Sequence, residues 1–193
     1  MKPVRGAGGA AAGPPGRRRV RATPKPFGLE RVAYFDGQLL AAADFSDEQS
    51  YFRKRLRRRN LLLHGAGIVS GLEVSLAPPA GPGGQFVVVE PGFAFDPLGE
   101  EIEVCRQVTL PLPPRGQTLS VRLTFVERPA DPVPVPLSPG PTSTGGSVPS
   151  RIEESFAIDL TAAAREDALS IARLAFRRGR WQIDRRSKPP RVS

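Results

Sequence analysis

The stretch AADFSDEQSYFRKRLRRRNLLLHG, residues 42–65, and the stretch GIVSGLEVSLAP, residues 67–78, decide the fold class because the hydrophobic periodicity changes between them. In the first stretch, large apolar residues return at spacings of seven, four and seven, which places them on one side of a helix. We therefore predict a helix at about 42–63 with this side facing the core; the residues concerned are Phe45, Phe52, Leu56 and Leu63. The second stretch alternates with a period of two, the pattern of a β-strand.

Both ends of the predicted helix carry suitable residues. Asp44, Asp47 and Glu48 lie in its first turns and the basic residues follow, which is the order that the helix dipole favours. Gly65 comes just after the last turn and suits a left-handed C-terminal cap.

Strand-length runs, separated by Gly/Pro breaks, continue along the rest of the chain. In Asp96-Pro97-Leu98-Gly99 the Pro and Gly stand at positions they prefer in a type I turn, so FAF (93–95) and EIEV (101–104) are predicted to pair as a hairpin. The sequence thus predicts an α+β fold, mainly β with one long N-terminal helix, whose strands form an antiparallel sandwich or a partly open barrel.

The composition divides the chain into a leader and one domain. Residues 1–26 contain almost no large apolar side chain and are predicted to be a disordered basic leader. A single β-rich domain is predicted at 27–190, with a Pro/Gly/Ser-rich loop at about 129–150 and a loose basic tail. No run approaches the roughly 20 apolar residues of a membrane span, and the N-terminus lacks a secretory signal, so we expect a cytoplasmic protein without membrane insertion.

The formal net charge of +9 is concentrated in the leader, in the helix and in the tail. The basic run from Arg53 to Arg59 goes around the whole helix, so some of its side chains are expected near the domain body. Two interpretations stay open: a solvated or intramolecularly paired face, and a docking patch for a protein partner. Nucleic acid ranks third, since basic and aromatic residues do not interleave.

The sequence offers little that an active site needs. His64 is the one histidine and Cys105 the one cysteine, which leaves no evident catalytic triad and no zinc or calcium ligand spacing. We expect His64 to cap or pack the helix end, and Cys105 to be a small buried residue at a strand end. The expectation is a non-enzyme without cofactor, metal or small-molecule substrate.

A resemblance enters at the helix. The stretch YFDGQLLAAADFSDEQSYFRKRLRRRNLLLHGAGIVSGLEV, Tyr34 to Val74, resembles the opening motif of a family encoded in contractile injection system and phage-tail-like gene clusters of bacteria. VVVEPGFAFDPLGEEIEV (87–104) and the segment 166–190 are similar to later parts of that family. Members commonly carry Thr and an acid where this chain has Ala41 and Ala43, so the helix start lacks the usual capping hydroxyl.

The resemblance implies a structural or adaptor subunit that docks to baseplate, spike or fibre components, in a symmetric assembly within a virion-like particle that can be released. It also implies a partner-binding surface that comprises Tyr34, Phe35, Gln38, Arg53, Arg57 and Arg58. A more distant likeness in layout is to the baseplate-docking domain of type VI secretion adaptors and phage receptor-binding proteins. The alternatives are a cargo, effector or accessory protein of the same system, or a basic nucleic-acid-binding protein.

Overall fold

The structure is a computed structural model that describes residues 28–78, 84–134 and 146–192. The chain from Arg31 onward forms one compact unit. The predicted leader lies outside the described residues.

The single described helix, α1, spans Ala42–Leu63, the predicted bounds. At its start, the Asp44 carboxylate accepts a hydrogen bond of 2.8 Å from the backbone N–H of Ala41, which is the half of a capping box that the third helical residue supplies. The other half, an acceptor on the side chain of residue 41, is missing because that residue is Ala. At its end, Gly65 has φ +75° and donates its N–H to the carbonyls of Asn60 and Leu61, each at 3.1 Å. The left-handed cap is confirmed.

The described strands form three antiparallel sheets around one core, in a half-barrel arrangement. Their bounds are β1 Gly67–Gly71, β2 Val74–Ala77, β3 Phe86–Val89, β4 Gly92–Phe95, β5 Glu101–Val104, β6 Val108–Pro111, β7 Thr118–Pro134, β8 Ser147–Thr161, β9 Leu169–Arg177 and β10 Arg180–Ile183. The sheet orders are β1-β4-β5, β2-β3-β6 and β10-β9-β7-β8. The predicted fold class, mainly β with one long helix, is confirmed, and so is the β4–β5 hairpin.

The core lies between the sheets and receives side chains from all three. Val87 and Val89 of β3, Val121 and Leu123 of β7 and Leu174 of β9 have no exposed surface. The burial alternates along β3 and β5, which is the period-two pattern expected of strands with one covered face.

The Pro-rich segment differs from its prediction as a loop over 129–150. β7 and β8 extend into both of its ends, pairing Pro129 with Ile152 and Pro134 with Ser147, while 135–145 lie outside the described residues. β9 pairs with β7 only over Thr118–Leu123, so beyond it β7 and β8 run on as a two-stranded ribbon. We call residues 127–134 and 147–154 the ribbon.

Two further expectations are wrong, one about the burial of Cys105 and one about the C-terminal tail. Cys105 follows β5, as expected, but its side chain is exposed, because the burial of β5 alternates and leaves that position outside. The C-terminal tail is not loose where it passes β1. Ile68 donates its N–H to Pro190 O at 2.9 Å, and Val192 donates to Ile68 O at 3.1 Å, so the tail adds backbone hydrogen bonds to β1.

The face of α1 that packs on the β body is also not the predicted one. The apolar residues Phe45 and Phe52 are 50% and 58% exposed, and Leu56 and Leu63 are 39% and 69% exposed. Asn60 is the one buried residue in the described helix. Periodicity correctly grouped the apolar residues on one side, but that side is turned to solvent.

Candidate docking surface

A row of polar side chains attaches α1 to the β body. Arg53 forms an ion pair with Glu127 of β7, and Arg57 forms one with Glu100, which precedes β5. At 3.6 residues per turn these two arginines and Asn60 lie on one side of the helix. The hydrogen bond to Glu100 raises the pKa of Arg57 above its usual value. Two members of the basic run therefore neutralise acids of their own chain.

Asn60 makes the most buried contact of this row. Its Nδ2 donates to the carbonyl oxygen of Gly99 at 3.0 Å and to Oε1 of Glu101 at 3.1 Å. Gly99 has φ +86°, and a Cβ at that position would collide with the backbone carbonyl of Arg57. The absence of a side chain at Gly99 thus lets the β4–β5 turn touch the helix backbone directly.

The same turn contains a buried carboxylate. Asp96 is 2% exposed, and its Oδ1 accepts hydrogen bonds from the N–H groups of Leu98 at 2.8 Å and Glu100 at 2.9 Å. Gly99 N–H donates to Asp96 O at 3.0 Å, which closes the predicted turn. Burial raises the pKa of Asp96 above its ordinary value, and the backbone donors oppose that shift. The carboxylate is used to fix the turn against which α1 rests.

Because the polar row faces the body, α1 leaves a line of apolar side chains uncovered. We call Phe45, Phe52, Leu56 and Leu63 the apolar stripe; at 100° per residue they fall within about 40° of one another. Scattered exposed apolar side chains are ordinary on a protein surface, but four that lie along one side of one helix are typical of a contact site.

A groove runs between the apolar stripe and the ribbon. It has a volume of about 720 Å³ and is lined on the helix side by Gln49, Phe52 and Arg53. Pro149, Arg151 and Ile152 are among the residues that line it on the ribbon side. Ile152 is 64% exposed, so both walls carry a large apolar side chain.

The segment before α1 presents further aromatic surface. The Tyr34 hydroxyl donates to Oε2 of Glu48 at 3.0 Å, while Phe35 is 70% exposed. Desolvation and this hydrogen bond to an acid raise the pKa of Tyr34. Gln38 closes a small turn: its N–H donates to Phe35 O at 3.2 Å, and its Oε1 accepts from Phe35 N–H at 3.3 Å.

The six predicted partner-binding residues thus fall into two groups. Tyr34, Phe35 and Gln38 lie together in the segment before α1, and Arg53, Arg57 and Arg58 lie on α1. The docking role of these six residues stays a prediction, but Arg53 and Arg57 are engaged within the chain. Sequence reasoning missed the apolar stripe as a surface and the ribbon beside it. The half-polar composition of the helix was a usable signal, since five arginines, one lysine and one asparagine interrupt any wide apolar face.

Groups with catalytic or ligating potential are dispersed. His64 caps α1 and stacks on Phe95, with 5.5 Å between the ring centroids. Over residues 28–78, 84–134 and 146–192, no group of three or more His, Cys, Asp or Glu side chains is placed to hold a metal ion. Within the same ranges, no helix is long and apolar enough to cross a membrane.

Solved structures share this fold. The crystal structure of TssK matches with a TM-score of 0.53 and 14% identity, over 84% of this chain and 44% of that one. A chain of the type VI secretion system TssK-TssF-TssG baseplate subcomplex matches with a TM-score of 0.50 and 14% identity, over 84% of this chain and 62% of its own. The present chain therefore spans about half of the length of these proteins. No protein-family model and no curated protein sequence matches it.

At this identity the likeness concerns the fold. The similarity in layout to type VI secretion proteins that the sequence suggested is present at that level. The finer resemblance, to a family of phage-tail-like particles, stays a prediction.

Proposed function

We propose that this protein is a non-enzymatic structural or adaptor subunit of a contractile injection particle, and that it docks to baseplate, spike or fibre components. The observation that carries the proposal is the fold shared, over 84% of the present chain, with TssK and with a chain of the type VI secretion system TssK-TssF-TssG baseplate subcomplex. The Tyr34 to Val74 motif supports the same assignment from sequence.

The surface of the protein supports a role in assembly. The apolar stripe, Phe35 and Ile152 leave several large apolar side chains in water on and beside one element. A subunit of a symmetric particle contacts different partners on different faces, and such contacts cover surfaces of this kind.

Within this proposal the predicted contact residues have distinct tasks. Tyr34, Phe35 and Gln38 form the leading edge of the docking surface. Arg53 and Arg57 hold α1 in place through Glu127 and Glu100, and so present the apolar stripe. The assembled particle forms in the cytoplasm.

The test is mass spectrometry of contractile particles sedimented from the native host, comparing the parent strain with a strain that lacks the sheath gene. We expect the protein to pellet only with intact particles, at a stoichiometry of about three, six or a multiple, as closed rotational symmetry requires. Recovery in the soluble fraction of both strains would contradict the proposal.

A strain that lacks this protein distinguishes a structural role from the alternative functions. Loss of intact particles on deletion supports a structural role. Normal particles with lost toxicity would instead identify a cargo protein. Salt-sensitive DNA binding that disappears when residues 1–26 are removed would identify a nucleic-acid-binding protein.

A further inference from the structure

The geometry of the apolar stripe defines what shape covers it. Phe45 and Leu63 are 18 positions apart, so the stripe extends over about 27 Å along the helix. Its spacings of seven, four and seven place Phe45 and Phe52 on one core position of a heptad pattern, and Leu56 and Leu63 on the other. A narrow seam of this kind packs against a second helix that crosses at about 20°.

The groove beside the stripe supplies a second wall for such a helix. Phe52 reaches it from α1, and Ile152 reaches it from the ribbon, at 58% and 64% exposure. The volume of the groove is about 720 Å³. An amphipathic helix in this position would cover both apolar walls at once.

The charges beside the apolar stripe indicate which charged residues the partner helix should carry. Arg55 and Arg59 follow each other one turn apart on the flank of the stripe that faces away from the body. Both are exposed, and Arg55 donates a hydrogen bond of 3.1 Å to the neutral hydroxyl of Tyr51.

On the opposite flank, which faces the ribbon, positive and negative charges cancel. Arg53 is paired with Glu127, and the ribbon side of the groove contributes one base, Arg151, and one acid, Glu154. Beside Phe52, Leu56 and Leu63 the excess charge is therefore positive and lies on the outer flank. Nearer the start of α1 the same flank carries the acid Glu48, which accepts a hydrogen bond from the Tyr34 hydroxyl.

We propose that the groove between α1 and the ribbon binds an amphipathic helix of a neighbouring subunit, with carboxylates four residues apart that pair with Arg55 and Arg59. The identity of the partner as a particle subunit rests on the proposed function; the chemistry of the groove does not. A second copy of this chain is a poorer occupant, because it would bring the same positive flank, and the chain carries a net charge of +9.

The test uses the full chain and fluorescent synthetic helices of the same length as α1, 22 residues. One peptide has Leu at the heptad core positions and Glu on its flanks. A second has Lys in place of the Glu residues, and a third has the composition of the first in scrambled order. Binding is measured by fluorescence anisotropy, and the fold of each variant is checked by the emission of the buried Trp181.

We expect the Glu peptide to bind and the other two not to. Phe52→Ser combined with Leu56→Ser should weaken binding at least about tenfold, the loss typical of central apolar contacts. Arg55→Glu combined with Arg59→Glu should weaken binding of the Glu peptide and allow the Lys peptide to bind. The control Val69→Ser, which changes an apolar side chain of β1 that is 42% exposed, should leave binding unchanged.

Equal binding of the Glu and Lys peptides, or no binding of either, would overturn the inference. So would sedimentation of the chain alone as a dimer that Phe52→Ser converts to a monomer, since the groove would then be an interface between copies. If the chain pellets with particles but binds no peptide, the inference fails and the proposed function stands. If it binds the Glu peptide but never pellets, the proposed function fails.

Discussion

Asn60 of α1 donates a hydrogen bond of 3.0 Å from its Nδ2 to the carbonyl oxygen of Gly99, 39 residues further along the chain. This contact joins the C-terminal half of the helix to the turn between β4 and β5, and it is buried. The most buried anchor of the helix is thus polar, which explains how α1 can rest on the β body with its apolar stripe in solvent.

Replacing Asn60 by Leu should destabilise the protein by about 1–3 kcal/mol, because the buried carbonyl of Gly99 would lose its donor. Denaturant unfolding followed by the fluorescence of Trp181 measures this change. The control Lys54→Ala, at an exposed position of the same helix, should change stability by less than about 0.5 kcal/mol. Equal effects of the two changes would mean that Asn60 does not anchor the helix.

Replacing Gly99 by Ala should lower the free energy of unfolding by more than the strain of a positive φ alone explains. Gly99 and Gly179 have similar conformations, with φ +86° and +77°, but a Cβ meets the Arg57 backbone only at Gly99 and meets nothing within 4 Å at Gly179. Gly179→Ala should cost about 1 kcal/mol and Gly99→Ala at least about 2 kcal/mol, measured by thermal unfolding. A difference of zero would show that the turn and the helix separate easily.

The apolar stripe should contribute little to folding. Phe52→Ser changes a side chain that is 58% exposed, so we expect a loss of less than about 1 kcal/mol. Leu123→Ala, at a core position of β7 with no exposed surface, should cost about 2–5 kcal/mol in the same denaturant titration. A large loss for Phe52→Ser would mean that this side of the helix packs on the body after all.

The Arg57–Glu100 pair should couple measurably. Its side chains are 31% and 14% exposed, so water screens the pair only in part, and a double-mutant cycle to Ala should give about 0.5–1 kcal/mol. The coupling should shrink as salt is added. The pair Arg165–Asp167, exposed at 43% and 45%, is the reference and should show a smaller coupling. The reverse order would argue against the attachment of α1 through Arg57.

Asp96 should give stability a dependence on pH that Asn removes. Its pKa is raised by burial in the folded state, so the folded protein holds this proton more tightly than the unfolded chain does. The contribution of Asp96 is most favourable below its unfolded pKa and declines as pH rises through the folded pKa. Asn at this position keeps an oxygen that can accept from Leu98 and Glu100 but carries no charge.

The stability of Asp96→Asn relative to the parent should therefore increase as pH rises from 4 to 7, measured by denaturant unfolding at each pH. A relative stability that decreases over this range would show that the two backbone donors outweigh burial and that the pKa is lowered instead.

Local patterns determined much of this protein. The bounds of α1, the cap at Gly65 and the Asp96–Gly99 turn with its hairpin follow from residues close together in sequence, because helix dipole, cap and turn preferences act over a few positions. The ends of β7 and β8 did not follow, since the Pro and Gly content that indicates a loop is overridden by antiparallel pairing between residues as far apart as Pro134 and Ser147.

Only the tertiary structure decided which side of α1 is covered. The spacing of Phe45, Phe52, Leu56 and Leu63 shows that they share a side, but periodicity does not say what the rest of the fold places against it. The β body presents the carboxylates of Glu100 and Glu127 and the carbonyl of Gly99 to the helix, so the polar row packs there. These partners decided the orientation, above all at the buried Asn60, whose polar group must be paired, and the apolar stripe was left in solvent.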